Sequence, residues 1–159
     1  MPSILVTYYS RSGNTAKMAE AVVEGARQVA GVTVDLRPSS ELTPDELVKY
    51  DGIIMGSPVY FGSMAAELKT LIDESVKHYG KFTGKVGGAF ASSGAIGGGT
   101  ETTVLDILKA MLIHGMIVQG TTKGAHYGAV AFGAPDERAT KDCQGLGKRA
   151  AELVVRLAK

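Results

Sequence analysis

The first candidate site is a short segment whose side chains could bind a phosphate monoester. It contains three hydroxyls, an amide, a guanidinium and a glycine: Ser10, Arg11, Ser12, Gly13, Asn14 and Thr15. An apolar run at residues 4–8 predicts a buried strand before it, and apolar residues at helical spacing follow it. A helix start offers unpaired N–H groups and the positive end of its dipole, which favour a phosphate. The alternative is an ordinary loop with a helix N-cap, because Ser, Asn and Thr are common there in any case.

A second segment places aromatic side chains after another predicted strand, residues 53–56. The loop predicted to follow contains Ser57, Pro58, Val59, Tyr60, Phe61 and Gly62. Tyr60 and Phe61 could stack on a flat ligand, since Gly62 lets the backbone come close and Pro58 restricts it. The alternative is that both aromatic rings fold back onto the core.

A third segment, rich in glycine and serine, follows the strand predicted at residues 86–91. It contains Ser92, Ser93, Gly94, Ala95, Ile96, Gly97 and Gly98. Such a segment could present several N–H groups to the edge of a heterocycle. For a flavin, donors near N1 and the C2 carbonyl would stabilise the charge that appears on reduction. A mobile surface turn is the alternative.

A parallel sheet would bring the three segments together. Five apolar strands alternate with five helices along the chain, which predicts right-handed βαβ units with helices on both faces of the sheet. In the flavodoxin-like strand order 2-1-3-4-5, strands one, three and four are neighbours, and these are the strands that the three segments follow. We therefore expect an α/β, doubly wound, five-stranded sheet in three α/β/α layers, formed as a single domain by residues 1–159. Its composite site would lie at the carboxyl ends of the strands.

The composition argues against several functional classes. Seventeen basic and 16 acidic residues nearly cancel, which disfavours nucleic acid as a partner. One cysteine cannot form an intramolecular disulfide and suits a reducing cytoplasm. Because no apolar run approaches membrane length, we expect no membrane insertion. The three histidines, His78, His114 and His126, lack metal-ligand spacing, so no metal site is expected.

A possible phosphatase motif has a simpler interpretation. Cys143 and Arg149 match the C-x5-R pattern of a phosphatase nucleophile and its phosphate loop. Such a loop needs a strand before it, whereas Cys143 shares an apolar helical face with Leu146 and Ala150. We therefore interpret Cys143 as a structural thiol that is partly buried.

The three segments together resemble the flavodoxin-like quinone reductases of the tryptophan-repressor-binding-protein (WrbA) type. The resemblance rests on residues 9–15, 56–62, 92–101, 114–116 and 127–129, in that order. It implies the cofactor FMN, with Ser10–Thr15 on the phosphate, Val59–Phe61 beside the isoalloxazine and Ser92–Gly98 along the pyrimidine edge. It also implies a catalytic His114 near the flavin, electron transfer from NADH or NADPH to a quinone-like acceptor, and a homo-oligomer (dimer or tetramer).

The chain departs from the family pattern in three places. It is shorter at residues 37–50 and 119–126, which in the family help to build the tetramer and the substrate pocket, and Tyr60 stands where Arg is common. Other interpretations stay open at this point. His114 could simply cap a helix C-terminus. The protein could be a flavodoxin-type one-electron carrier, although such carriers are generally strongly acidic, or a flavin-free binding module.

Overall fold

The computed structural model describes residues 1–158, which fold around a central parallel sheet. The strands are Ser3–Tyr8 (β1), Thr33–Pro38 (β2), Gly52–Tyr60 (β3), Ser63–Met64 (β4), Val86–Ser93 (β5), Ile117–Val118 (β6) and Ala129–Phe132 (β7). The helices are Asn14–Arg27 (α1), Pro44–Leu47 (α2), Ala66–Glu74 (α3), Thr100–Ile113 (α4) and Glu137–Leu157 (α5). Short 3-10 helices occupy Ser39–Glu41 and Ser75–His78.

The strand order confirms the predicted fold. It is β2-β1-β3-β5-β6, with every pair in that path parallel. β6 pairs with the first half of β5 and β7 with the second half, so these two short strands share the fifth position. The predicted order 2-1-3-4-5 therefore holds, with its fifth position divided between β6 and β7.

Helices cover both faces of the sheet. On one face α1 and α5 pack directly against each other, and glycine makes this approach possible: a Cβ at Gly147 would lie 1.9 Å from the carbonyl oxygen of Val22. On the other face, side chains of α3 and α4 such as Leu68 and Ile107 pack on the sheet and are fully buried. Within residues 1–158, no helix is both long enough and apolar enough for a membrane span.

Two stretches predicted as loops are strand instead. β3 continues to Tyr60 and β5 to Ser93, because their pairing persists beyond the apolar runs, with Pro58 opposite Ser92. Pro58 is tolerated because β1 ends opposite Gly56, so no partner strand needs the missing N–H. The second and third segments are therefore held by the sheet for part of their length.

Several apolar residues of the helical segments are exposed. Among them are Val76, Leu105, Leu112 and Leu157, each at least 39% exposed. Helical periodicity shows which residues share a face, but it cannot show where the neighbouring element ends.

Candidate functional site

The first segment forms the turn between β1 and α1. Gly13 caps the helix with a φ of 95°, in the left-handed region. The Oγ of Ser10 accepts hydrogen bonds from the N–H of Gly13 (3.1 Å) and of Ala16 (3.3 Å), so its own hydrogen remains free to donate. Helix geometry leaves the N–H groups of Asn14 and Thr15 without an intrahelical partner. The turn therefore offers the donors that an anionic ligand requires.

The second segment is the end of β3 and a tight β-hairpin. Tyr60 pairs with Ser63, and Phe61 and Gly62 form the two-residue turn between them. Their φ angles, 50° and 78°, are both positive, as in a type I′ turn, which a bulky side chain adopts only under strain. The Phe61 ring is fully exposed, so it does not fold back onto the core. A strained and exposed aromatic residue indicates a binding role rather than a packing role.

The third segment begins at the buried end of β5. Ser92 and Ser93 are buried, whereas residues 94–98 are exposed, and the Ile96 side chain is 84% exposed. The Ser93 Oγ donates to the carbonyl oxygen of Ala95 at 2.7 Å, which turns the chain sharply away from the sheet. The segment therefore stands above the sheet edge with its glycine backbone uncovered.

The structure brings these three segments to the same edge of the sheet. The Oγ1 of Thr15 and the Oγ of Ser92 lie 2.8 Å apart in a buried hydrogen bond, which joins the first segment to the third. A cavity of about 240 Å³, here called the central cavity, lies among the three segments. It is lined by Arg11, Ser12, Asn14, Thr15, Pro58, Val59, Tyr60, Ser92, Ser93 and Gly94. All ten lining residues belong to the predicted set.

The remaining predicted residues lie around this cavity. Ser10 and Gly13 line a neighbouring cavity of about 370 Å³ on the other side of the first segment, together with Arg11. Phe61 and Gly62 form the hairpin tip, and residues 95–98 form the exposed top of the third segment. These tips form a rim outside the walls of the central cavity.

Sequence reasoning missed Thr102, which ties the second segment to the third. Its Oγ1 lies 2.7 Å from the carbonyl oxygen of Gly62 and 2.9 Å from that of Gly99, and the hydroxyl can donate to either. The backbones of the two glycines touch, because a Cβ at Gly99 would lie 2.9 Å from the Cα of Gly62. The signal available in the sequence was Gly99, the last glycine before α4.

The charges around the central cavity are few. Arg11 is the one charged residue among its ten lining residues. In the neighbouring cavity, the pKa of the Tyr9 phenol is raised, chiefly because it hydrogen-bonds to the carboxylate of Glu67, so Tyr9 stays neutral. The central cavity therefore offers neutral donors and one cation, as the first segment predicts for a phosphate monoester.

The structure places His114 away from the three segments. It is the C-cap of α4, which begins beside the third segment and runs for 14 residues, about 20 Å, to the opposite edge of the sheet. There its Nε2 lies 2.8 Å from the Oγ of Ser75, and its ring packs against Phe82 at a centroid distance of 4.6 Å. Burial lowers the pKa of His114, although a helix C-terminus favours the charged form. The geometry of one chain thus does not support a catalytic His114, and the alternative of a helix-capping residue fits its position.

Cys143 is a structural thiol, as interpreted from its helical face. It is completely buried on α5, and burial raises its pKa to about 12. A thiol in that state is a poor nucleophile, so the C-x5-R match has no chemical role here.

Comparison with known proteins gives consistent matches. The model of the family described as "NADPH-dependent FMN reductase" matches residues 41–128. A "Flavodoxin" of Aquifex aeolicus is 39% identical over 97% of this chain and 88% of its own length. An "NAD(P)H dehydrogenase (quinone)" of Chromohalobacter salexigens is 34% identical over 99% of this chain and 100% of its own length. Among solved structures, a "flavodoxin, WrbA-like protein from Agrobacterium tumefaciens" aligns with a TM-score of 0.82 at 26% identity, over 98% of this chain and 99% of that one.

Proposed function

The chain belongs to the NADPH-dependent FMN reductase family, and we propose that it is an FMN-dependent oxidoreductase that transfers electrons from NADH or NADPH to quinone-like acceptors. Membership of the family agrees with the resemblance carried by the three segments. The observation that carries the proposal is the convergence of these segments on the central cavity, where Thr15 and Ser92 bond directly.

The donor set of the cavity fits a singly phosphorylated flavin. Residues Ser10–Thr15 would hold the phosphate through hydroxyls, the free N–H groups at the start of α1 and the guanidinium of Arg11. Pro58–Gly62 would lie beside the flat ring system, with the exposed Phe61 at its edge. Ser92–Gly98 would offer N–H groups to the heteroatom edge of the ring. When bound, FMN supplies the redox chemistry: it takes an electron pair from the nicotinamide and passes electrons to the acceptor.

The protein's own residues would bind and orient the reactants. Thr102 and the contact between Gly62 and Gly99 fix the hairpin against the third segment, so that the two walls of the site keep their spacing. The exposed rim at Phe61 and Ile96 leaves the cavity accessible, which suits a donor and an acceptor that bind in turn. No side-chain acid or base is required for these steps, so the remote position of His114 is compatible with the proposal.

We propose that the protein acts in the cytoplasm. We also propose that it forms a homo-oligomer, as the family resemblance implies. Its one cysteine is buried and free, which suits a reducing compartment. Its near-neutral charge gives no reason to expect nucleic acid as a partner.

A steady-state assay tests the proposal. Oxidation of NADH or NADPH is followed with benzoquinone as acceptor, with FMN supplied and with FMN withheld. We expect oxidation that depends on both FMN and the quinone. Stoichiometric FMN binding without any such oxidation would overturn the enzyme proposal.

A one-electron carrier is the second candidate, because the relative from Aquifex aeolicus is named a flavodoxin at 39% identity. A carrier would bind FMN, leave NADH and NADPH unoxidised, and exchange single electrons with a protein partner. The net charge of +1 weighs against it, since carriers of this type are generally strongly acidic. The same assay therefore separates the two functions.

A further inference from the structure

A further cavity lies beside β7, at the edge of the sheet, and is here called the edge cavity. It has a volume of about 330 Å³ and is bordered by the first turns of α4 and α5. Its lining includes Glu101, Val104, His126, Tyr127, Val130 and Arg138. Tyr127 belongs to residues 127–129, one of the segments that carry the family resemblance, yet it does not line the central cavity. The edge cavity is therefore separate from the proposed flavin site.

The edge cavity adjoins the central cavity across one pair of strands. Val130 of β7 lines the edge cavity and pairs with Ala91 of β5, which directly precedes Ser92 in the wall of the central cavity. Neighbouring strands lie about 4.8 Å apart. Glu101 lines the edge cavity from the first turn of α4, two residues after Gly99. A ligand that extends from the central cavity across the third segment therefore reaches the edge cavity.

The interior of the edge cavity suits one flat ring. Val104 and Val130 are buried and give it an apolar wall. The Tyr127 side chain is 54% exposed, so a flat ligand can stack on its ring. The backbone next to Tyr127 is held against the sheet, because a Cβ at Gly128 would lie 2.1 Å from the carbonyl oxygen of Ala89. A volume of about 330 Å³ is at the lower end of the range for small-molecule sites, about 300–1,000 Å³.

Glu101 and His126 supply hydrogen-bond acceptors to the edge cavity. One carboxylate oxygen of Glu101 accepts from the hydroxyl of Thr100 at 2.8 Å, which leaves the other oxygen for a ligand. The Nδ1 of His126 lies 2.8 Å from the carbonyl oxygen of Thr121. Because a carbonyl oxygen only accepts, this Nδ1 carries the hydrogen, and Nε2 is the acceptor of the neutral ring. The edge cavity therefore suits a ligand with N–H donors.

Arg138 supplies donors to the edge cavity. Its Nη1 lies 2.9 Å from a carboxylate oxygen of Asp142, and its Nη2 donates to the carbonyl oxygen of Val130 at 3.1 Å. These two bonds fix the guanidinium, whose remaining N–H groups can donate to a ligand. Asp142 and Glu101 both line the cavity with Arg138, so carboxylates outnumber cations there when His126 is neutral. This balance disfavours a phosphate inside the edge cavity and favours an uncharged ring.

We propose that the edge cavity binds the adenine ring of NADH or NADPH while the nicotinamide half extends toward the central cavity. Adenine is flat, and its edge carries an amino donor beside a ring nitrogen that accepts. The amino group donates to Glu101 or His126, Arg138 donates to the ring nitrogen, and Tyr127 stacks on the ring. Both dinucleotides carry the same adenine, so the proposal holds for either donor.

The other ligands of the proposed reaction fit the edge cavity less well. A quinone carries only acceptors, so it would leave the carboxylate of Glu101 without a donor. FMN carries a phosphate, which the excess of carboxylates disfavours. The adenine site rests on the proposed function, because that function is what brings a pyridine dinucleotide to the protein.

Steady-state kinetics with two electron donors test the site. Reduced nicotinamide mononucleotide lacks the adenosine half of NADH, so it cannot use the edge cavity. Tyr127→Ala and Glu101→Ala should each raise the KM for the dinucleotide about tenfold or more and leave kcat unchanged. Neither variant should change the KM for the mononucleotide. The matched control is Tyr79→Ala, which removes a tyrosine of similar exposure at the far end of α4 and should behave like wild type.

Calorimetric titration with ADP-ribose measures the same site without electron transfer. The wild-type chain and Tyr79→Ala should bind ADP-ribose, and Tyr127→Ala and Glu101→Ala should bind it about tenfold more weakly or worse. If ADP-ribose binds in this way but neither dinucleotide is oxidised, the enzyme proposal fails and the adenine site stands.

Three results would overturn the adenine site. The first is a wild-type chain that does not bind ADP-ribose at millimolar concentration. The second is oxidation of the dinucleotide with the same KM in wild type, Tyr127→Ala and Glu101→Ala, which would leave the enzyme proposal standing. The third is a KM for the mononucleotide that rises in parallel with that for the dinucleotide, because the adenosine half would then not be the cause.

Discussion

Replacing Gly99 with alanine should weaken FMN binding, because this glycine sets the distance between two walls of the site. The new Cβ would lie 2.9 Å from the Cα of Gly62 and 3.0 Å from the Oγ1 of Thr102. Carbon atoms prefer a separation of about 3.5–4.0 Å, so the hairpin must move away by roughly 0.6–1 Å. The atom in the way belongs to the backbone and cannot rotate aside. The hairpin carrying Phe61 is thus pushed away from the third segment.

Gly97→Ala is the matched control for this variant. Gly97 lies in the same segment and also has a positive φ, 76° against 108° for Gly99, so alanine is strained at both positions. That strain costs about 1–2 kcal/mol at Gly97 and more at Gly99, whose φ lies beyond the left-handed region of other residues. Nothing lies within 4 Å of a Cβ at Gly97, so only Gly99→Ala adds a steric overlap. Overpacking of this kind costs about 1–3 kcal/mol, which corresponds to a factor of roughly 5–150 in affinity.

Titration of FMN into the two apo-variants, followed by quenching of flavin fluorescence, measures this factor. The account predicts a dissociation constant for Gly99→Ala that exceeds that of Gly97→Ala by roughly 5–150-fold. Equal affinities would refute the reasoning, since they would mean that the contact between the hairpin and the third segment does not shape the binding site.

Three further predictions concern single side chains. Ser10→Asp should keep the hydrogen bonds from the N–H groups of Gly13 and Ala16, because a carboxylate also accepts them, but its charge should weaken FMN binding about a hundredfold or more; calorimetry can compare it with Ser10→Ala, which adds no charge. His114 is partly buried, and its folded-state pKa lies below the ordinary 6.5. Its contribution to the free energy of unfolding should therefore be fully present above pH 6.5 and be lost as the pH falls through its folded-state pKa. Urea titrations should show a smaller pH dependence in His114→Gln, and an equal dependence would contradict this. Cys143, whose pKa is raised to about 12, should react with iodoacetamide at pH 8 roughly a thousandfold more slowly in the folded than in the unfolded chain; rapid labelling of the folded protein would contradict its burial.

The sheet order and the convergence of the segments were predictable because local patterns determine them. The apolar run at residues 4–8 became β1, Ser3–Tyr8, and a helix followed the first segment as its spacing indicated. The start of α2 is likewise determined by neighbouring residues. The carboxylate of Glu46 accepts a hydrogen bond from the N–H of Thr43 at 2.9 Å, as a capping box requires. Once the strands and helices were known, the handedness of βαβ units left few possible topologies.

The details of the site were not predictable because contacts between distant residues produce them. The continuation of β3 through Pro58 and of β5 through Ser92 depends on pairing between these two strands, which are far apart in sequence. The turn at Phe61 does not contain the Asn-Gly pair that marks a type I′ hairpin. The bond from Thr102 to Gly62 joins residues that are 40 positions apart. Local patterns contain none of this information.

His114 shows the limit of arguing from a resemblance. The resemblance at residues 114–116 implied that His114 lies beside the flavin. His114 follows the last residue of the 14-residue helix α4, however, and therefore lies at the other edge of the sheet. Only the three-dimensional arrangement separates a residue that lines the site from one that caps a helix.

Comparative titration of the apoprotein with FMN and with riboflavin tests the central claim most directly, since the two ligands differ only in the phosphate. If the three segments jointly hold a flat, singly phosphorylated cofactor, FMN should bind at one molecule per chain. Riboflavin should then bind about a hundredfold more weakly, or with an even greater loss of affinity. Equal affinity for the two ligands, or no binding of FMN, would contradict the assignment of Ser10–Thr15 to the phosphate and of the central cavity to the flavin.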